Sequence, residues 1–149
     1  MAAHRVALHW QRRSPDFDYQ TFDRSYDLHF SGGQILPGSS SPAYFGNPAL
    51  TNPEEILIAS LSSCFMLTFL SIAALKRFVV DSYEDEAECE LGKNEHGKTM
   101  ISRIILRPKV NFGAGRQPAP EVLAELYRKA EENCFVSNSL QSEVAIAPR

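Results

Sequence analysis

The chain has 149 residues, 15 of them basic and 18 acidic, and three cysteines. That length suits one domain, which at this size buries roughly 68–70% of its unfolded surface and needs no staples. The charge balance argues against a broad nucleic-acid footprint, and three cysteines with no CxxC spacing argue against a secreted disulfide framework or a zinc site. Polar Met1-Ala2-Ala3-His4-Arg5 runs straight into Val6-Ala7-Leu8-His9-Trp10 with no long apolar stretch, so a cytoplasmic protein is expected. In a reducing compartment a cysteine pair is a candidate redox pair.

The predicted elements begin with strands. Val6-Ala7-Leu8-His9-Trp10 is short and apolar-rich, and residues 22–30 alternate with the period of a half-buried strand, placing Arg24 on the same parity as Phe22, Tyr26, Leu28 and Phe30. Ser31-Gly32-Gly33 turns the chain into a return strand, Gln34-Ile35-Leu36. Residues 37–52, rich in Pro, Gly, Ser and Asn, read as a long loop of the kind that is often functional.

A long helix follows. Asn52 is an N-cap, Pro53 fits the first helical position, and Glu55 completes a capping box. The helix is predicted over residues 53–77, about 37 Å at 1.5 Å per residue. Residues 56–75 carry no charge, which is about the length of a membrane span. Serines and Thr68 dilute the stretch and both ends carry soluble-helix signals, so a core helix is the better reading. It is apolar almost all round, which calls for cover on every side and hence for a second copy of the protein.

Residues 83–91 and 100–110 read as two alternating strands joined by Gly92-Lys93-Asn94-Glu95-His96-Gly97. Residues 112–120 form a Gly/Pro-rich link. A second helix starts at Pro120 with Val122, Leu123, Leu126, Tyr127 and Ala130 on one face, and Cys134 extends that face. Val144-Ala145-Ile146 is a final strand. The order is that of an α+β domain.

The chemistry turns on Cys64, inside the first helix, and Cys134, at the end of the second. A cysteine reacts as its thiolate, which needs a nearby cation or hydrogen-bond donors. Cys64 lies three turns into its helix, beyond the reach of the N-terminal dipole. Arg24 is the best candidate for a cation brought from elsewhere; the alternative is an edge strand with Arg24 in water. Glu54 lies ten residues before Cys64, about 15 Å along the axis, so it serves Cys64 only if it comes from a neighbouring chain. Otherwise it is a first-turn partner of the helix dipole. Cys134 as packing is also open, and Cys89 is assigned to packing outright. The four histidines show no metal-ligand spacing, and no metal or cofactor is expected.

Thr51-Asn52-Pro53-Glu54-Glu55, followed by Ser62-Ser63-Cys64-Phe65 and, seventy residues after the first cysteine, Cys134 with Ser137-Asn138, resembles the motifs of the OsmC/Ohr family of thiol-dependent peroxidases. The resemblance extends from about residue 22 to the end. It implies an OsmC-like fold, a long central helix packed on antiparallel sheet in an intertwined homodimer with active sites at the interface. It implies Cys64 as peroxidatic thiolate, Cys134 as resolving thiol, and Glu54 holding a guanidinium against Cys64. The implied substrates are an organic hydroperoxide and a small dithiol or thiol reductant, with no membrane or nucleic-acid partner. Arg24 matches one of two placements of the arginine in the family; Tyr44 stands at the other, and Arg12 or Arg13 could substitute. The family's second cysteine is often followed by proline, and here by Phe135. Phe65, Phe69, Phe135 and Tyr44 suggest bulky organic peroxides as substrates. Two other readings are a hot-dog-like acyl-thioester hydrolase, indifferent to Cys64, and a non-enzymatic dimer with an apolar ligand site. Formation of a Cys64–Cys134 disulfide under mild peroxide separates them.

Overall fold

A computed structural model describes residues 2–149. The chain divides into two compact units, residues 2–56 and 57–149, with the boundary in the first turn of the long helix.

The first unit holds three antiparallel strands, β1 (Val6–His9), β2 (Tyr26–Phe30) and β3 (Ile35–Gly38), in the order β1-β2-β3. Leu28 faces both Leu8 and Leu36 across the ladders. The hairpin between β2 and β3 closes with the Gly33 N–H donating to Phe30 O at 2.9 Å, Gly33 having a φ of 89°. The expected strand over residues 22–30 starts only at Tyr26. Asp23 accepts the Ser25 N–H at 2.8 Å, a local turn that competes with strand pairing. Arg24 is therefore not a strand residue. Trp10, Phe17 and Phe22 form an aromatic cluster with centroids 5.0–6.4 Å apart.

The loop before the helix is built around buried Ser39. Its N–H donates to Thr51 O at 2.9 Å and its Oγ accepts from Asn47 N–H at 3.0 Å. A short 3₁₀ turn at Pro42–Tyr44 brings Gly46 so close to Ser40 that a Cβ there would lie 1.5 Å from the Ser40 carbonyl oxygen. Helix α1 (Pro53–Leu75) then starts from the expected capping box: Glu55 N–H donates to Asn52 Oδ1 at 2.9 Å, and Asn52 N–H to Glu55 Oε2 at 3.0 Å.

In the second unit α1 ends two residues earlier than expected. Phe78 N–H donates to Ala73 O and Arg77 N–H to Ala74 O, with Arg77 at φ 62°. This is a Schellman closure with arginine where glycine usually sits, and buried Phe78 folds back on the helix end.

The predicted hairpin is split in two places. Residues 83–91 contribute to two strands, β4 (Val80–Glu84) and β5 (Glu88–Lys93). Residues 100–110 likewise contribute to β6 (Thr99–Leu106) and β7 (Lys109–Phe112). β4 pairs with β7, while β5-β6-β8 form a second sheet in which β8 (Glu143–Ile146) runs parallel to β6. Two features force the split. Pro108 has no N–H to give a ladder. Asp85, between β4 and β5, accepts from Arg107 N–H at 2.6 Å and from Ser62 Oγ of α1 at 2.5 Å. A bulge between Glu90 and Leu91 turns Leu91 outward, so Cys89 packs on the core while Leu91 does not.

Helix α2 (Pro120–Asn133) packs Leu126, Tyr127 and Ala130 against Leu61, Phe65, Phe69 and Ala73, four-residue steps along one face of α1. The Tyr127 ring lies 5.0 Å from Phe69 and 6.3 Å from Phe65. Val122, expected on this face, is exposed at its edge in the first turn. The opposite side of α1 stays open: Leu67 is 60% and Leu75 84% exposed. By length and composition alone α1 could cross a membrane, and only 22% of its most apolar window is buried.

Candidate active site

Cys64 and Cys134 meet in the second unit. Cys64 is half-buried at the start of the fourth turn of α1. Cys134 is fully buried at the C-cap of α2, where its φ of −76° and ψ of 113° take the chain out of the helix. The chain then folds back, Asn138 N–H donating to Cys134 O at 3.0 Å and Asn138 Nδ2 to Glu132 O at 2.9 Å. This turn places the two thiols in hydrogen-bonding reach of each other, both in the free form.

The two sulfurs are electrostatically unlike. Burial pushes Cys64 up, but hydrogen bonds from the Cys134 thiol, the backbone at Val136 and Phe135, and Thr68 outweigh it, and the net shift is down. The Thr68 contribution is the smallest, its hydroxyl also donating to Cys64 O at 2.8 Å. Burial first, and then Cys64, push Cys134 up to about 11, only partly offset by the Ser137 N–H 3.5 Å from its sulfur. Cys64 is thus held below the usual thiol range and Cys134 above it.

Cys64 opens into a groove of about 670 Å³ walled by Leu67, Ser71, Phe135 and Val136. Of the aromatic residues expected around the site, only Phe135 lines this groove. Phe65 and Phe69 are fully buried in the core, and Tyr44 belongs to the first unit.

Arg24 and Glu54 both belong to the first unit. The Arg24 guanidinium stacks 3.8 Å over the Phe22 ring and donates to Phe22 O at 3.0 Å and to Tyr19 O. Glu54 is half-buried in the first turn of α1, and its Oε2 is buried with no hydrogen-bond donor beside it. Arg12 donates to Pro15 O, and Arg13 lies close enough to Asp23 to help hold that carboxyl low, after the Ser25 hydrogen bonds. Among the described residues no arginine pairs with Glu54, and none is among the groups that shift Cys64. Within one chain the groups that lower Cys64 are the Cys134 thiol, the backbone at Val136 and Phe135, and Thr68, with no cation among them. Residue types do not reveal such donors, although Thr68, one turn after Cys64, was visible as a hydroxyl on the same face.

Residues 46–149 match the model of the family described as OsmC-like protein. The chain belongs to that family. Over its full length it superposes on an OsmC-like protein of unknown function from Vibrio cholerae O1 biovar eltor, with a TM-score of 0.94, 38% identity and complete coverage of both chains. An organic hydroperoxide resistance protein, OhrB of Bacillus subtilis, shares the fold at a TM-score of 0.70 and 19% identity, with 99% of this chain and 98% of that one covered. An uncharacterized Bacillus subtilis (strain 168) protein, YmaD, is 25% identical over 116 residues, 76% of this chain and 77% of its own. OsmC-like proteins are soluble, and one face of α1, through Leu61, Phe65, Phe69 and Ala73, lies in the core of the second unit. Among the described residues no group of His, Cys, Asp and Glu has the arrangement of a metal site.

Proposed function

We propose that this OsmC-like protein is a cytoplasmic thiol-dependent peroxidase that reduces organic hydroperoxides with the Cys64–Cys134 pair. The observation that carries the reading is the pairing itself: a thiol biased toward its anion, open to a groove, hydrogen-bonded to a buried thiol biased toward its neutral form. The Cys64 thiolate attacks the terminal oxygen of ROOH. The O–O bond breaks, the alkoxide leaves and takes up a proton as ROH, and Cys64 becomes a sulfenic acid. The Cys134 thiol then displaces water from that sulfur, forming a Cys64–Cys134 disulfide. A dithiol reduces the bond by exchange. The net reaction converts ROOH and a dithiol into ROH, water and the oxidised dithiol. The apolar wall of Leu67, Phe135 and Val136 favours bulky hydroperoxides over hydrogen peroxide.

The assay is consumption of an alkyl hydroperoxide with a dithiol reductant. Cys64→Ser is expected to bring the rate to background, and wild type is expected to show a higher kcat/KM for the organic peroxide than for hydrogen peroxide. Wild-type turnover that survives Cys64→Ser sinks the proposal.

In the same reading Arg24 and Glu54 reach Cys64 from the partner in a homodimer. Three features support this. Glu54 cannot touch Cys64 on its own helix, its Oε2 lacks a donor, and α1 keeps an uncovered apolar side. An opposite charge within about 4–6 Å of a thiolate lowers its pKa by about 1–3 units. Arg24→Ala and Glu54→Gln are therefore expected to lower kcat/KM about tenfold or more at neutral pH while leaving the oligomer intact. Unchanged kcat/KM in both variants removes these residues from the mechanism without touching the cysteine chemistry.

A further inference from the structure

Residues 10–25 join β1 to β2, antiparallel neighbours that about two residues could connect. The long connection is folded back on itself. Trp10 Nε1 donates to Asp23 O at 2.8 Å, and the N–H groups of Thr21 and Phe22 donate to Asp18 O at 3.1 and 2.9 Å. This fixes the rings of Trp10, Phe17 and Phe22 at interplanar angles of 39–90°. With Tyr26, Ser40 and Pro53 they bound a cavity of about 430 Å³ within the first unit. Ligand pockets have this order of size, with mostly apolar walls and few polar groups. All the lining residues except Pro53 precede residues 46–149, which match the OsmC-like model, so the family likeness assigns the cavity no role.

The charged group in its wall is Arg24, half-buried and lying over the Phe22 ring. A guanidinium has five N–H donors. Arg24 gives one to Phe22 O and one to Tyr19 O. Among the described residues it is in no ion pair. Glu54, in the same unit, does not take that place, because its Oε2 has no donor. Rings and carbonyls attract the cation but carry no net charge to neutralise it. A planar carboxylate matches the guanidinium fork and supplies that charge. Tilted rings around a gap offer edge-to-face and offset contacts to a further ring. We propose that this cavity binds a small aryl carboxylate, its ring among Trp10, Phe17 and Phe22 and its carboxylate on Arg24. Binding is independent of the thiol chemistry. In the peroxidase reading a bound acid and the partner's Cys64 draw on the same guanidinium, which makes the acid an inhibitor.

Trp10 is the only tryptophan in the chain, so its fluorescence reports on this cavity alone. The experiment titrates wild type, without peroxide, with 3-phenylpropionate, with 3-phenylpropanol, which keeps the ring and loses the charge, and with propionate, which keeps the charge and loses the ring. Calorimetry of the same titrations gives a second readout. The acid with the ring is expected to saturate at a concentration about tenfold or more below either control, the size of a hydrogen bond to a charged group. Arg24→Ala is expected to bind acid and alcohol equally, and Phe17→Ala to weaken both. No saturable binding by either readout overturns the proposal, whether a second copy of the chain fills the cavity or nothing does. So does an acid that binds Arg24→Ala as tightly as wild type. Should the variants not fold, the wild-type comparison decides: equal affinity for acid and alcohol overturns the carboxylate site. Because no hydroperoxide is consumed in these titrations, their failure leaves the peroxidase reading standing, and failure of the hydroperoxide assay leaves this site standing.

Discussion

Cys64 and Cys134 are the same residue type in contact, yet their surroundings push them in opposite directions. The difference comes from what each sulfur faces. Cys64 receives donors from Cys134, the turn at Phe135 and Val136, and Thr68. Cys134 is fully buried and faces the Cys64 sulfur, with the Ser137 and Val136 backbone as its compensating donors. A stability signature follows. The unfolded chain loses the Cys134 proton near the ordinary value of 9.0, the folded chain only near 11. Between those values folding takes up a proton, so stability falls as pH rises through the window and is unaffected below it. Wild type is expected to lose urea stability across that window more steeply than Cys134→Ser, whose hydroxyl does not titrate. Equal slopes in the two proteins would remove Cys134 as the cause. Cys64 contributes with the opposite sign, its share being lost as pH falls.

The elements show how local signals and tertiary contacts divide the work. The start of α1 was readable because Asn52, Pro53 and Glu55 act within one turn, and the reciprocal bonds at 2.9 and 3.0 Å follow that pattern. Its end was less readable because Arg77 occupies the left-handed position of the Schellman closure, where sequence would point to glycine. That conformation costs a residue with a Cβ roughly 1–2 kcal/mol. Arg77→Gly is therefore expected to stabilise the protein by about 1 kcal/mol in urea unfolding, after the entropy that glycine loses on folding. A destabilised variant would mean that the arginine side chain makes up for its backbone strain. The strand errors have a different origin. Alternation over residues 83–91 and 100–110 is real, but period-2 patterning does not report which sheet a strand joins. The division into two sheets depends on Pro108 and on Asp85, whose carboxylate ties the β4–β5 break to Ser62 of α1.

For the whole molecule, the informative quantity is the apolar surface left over. The inner side of α1 is covered by α2 and β6, but Leu67 and Leu75 are bare, as are Val6, Leu8, Phe30 and Ile35 on the first sheet. Large apolar side chains left bare in each unit are what an interaction surface offers. A homodimer is the expected occupant, and sedimentation of wild type is expected to give twice the chain mass. Leu67→Glu is expected to shift the protein toward monomer and to lower hydroperoxide turnover with it, because an unpaired charge buried at an interface costs several kcal/mol. A wild type that sediments as a monomer would sink this expectation.

The sequence by itself determined the α+β order, the capped apolar helix, the hairpin turns and the family motif around Cys64 and Cys134. These are short-range or spacing signals, carried by residue type and position along the chain. Packing alone brings the turn after α2 against α1, so that Cys134, Phe135 and Val136 come beside Cys64, and it sets Arg24 on Phe22 before the strand begins instead of within it. Main-chain donors carry no residue signature, and a contact across seventy residues depends on how helices and sheets pack, which periodicity does not record.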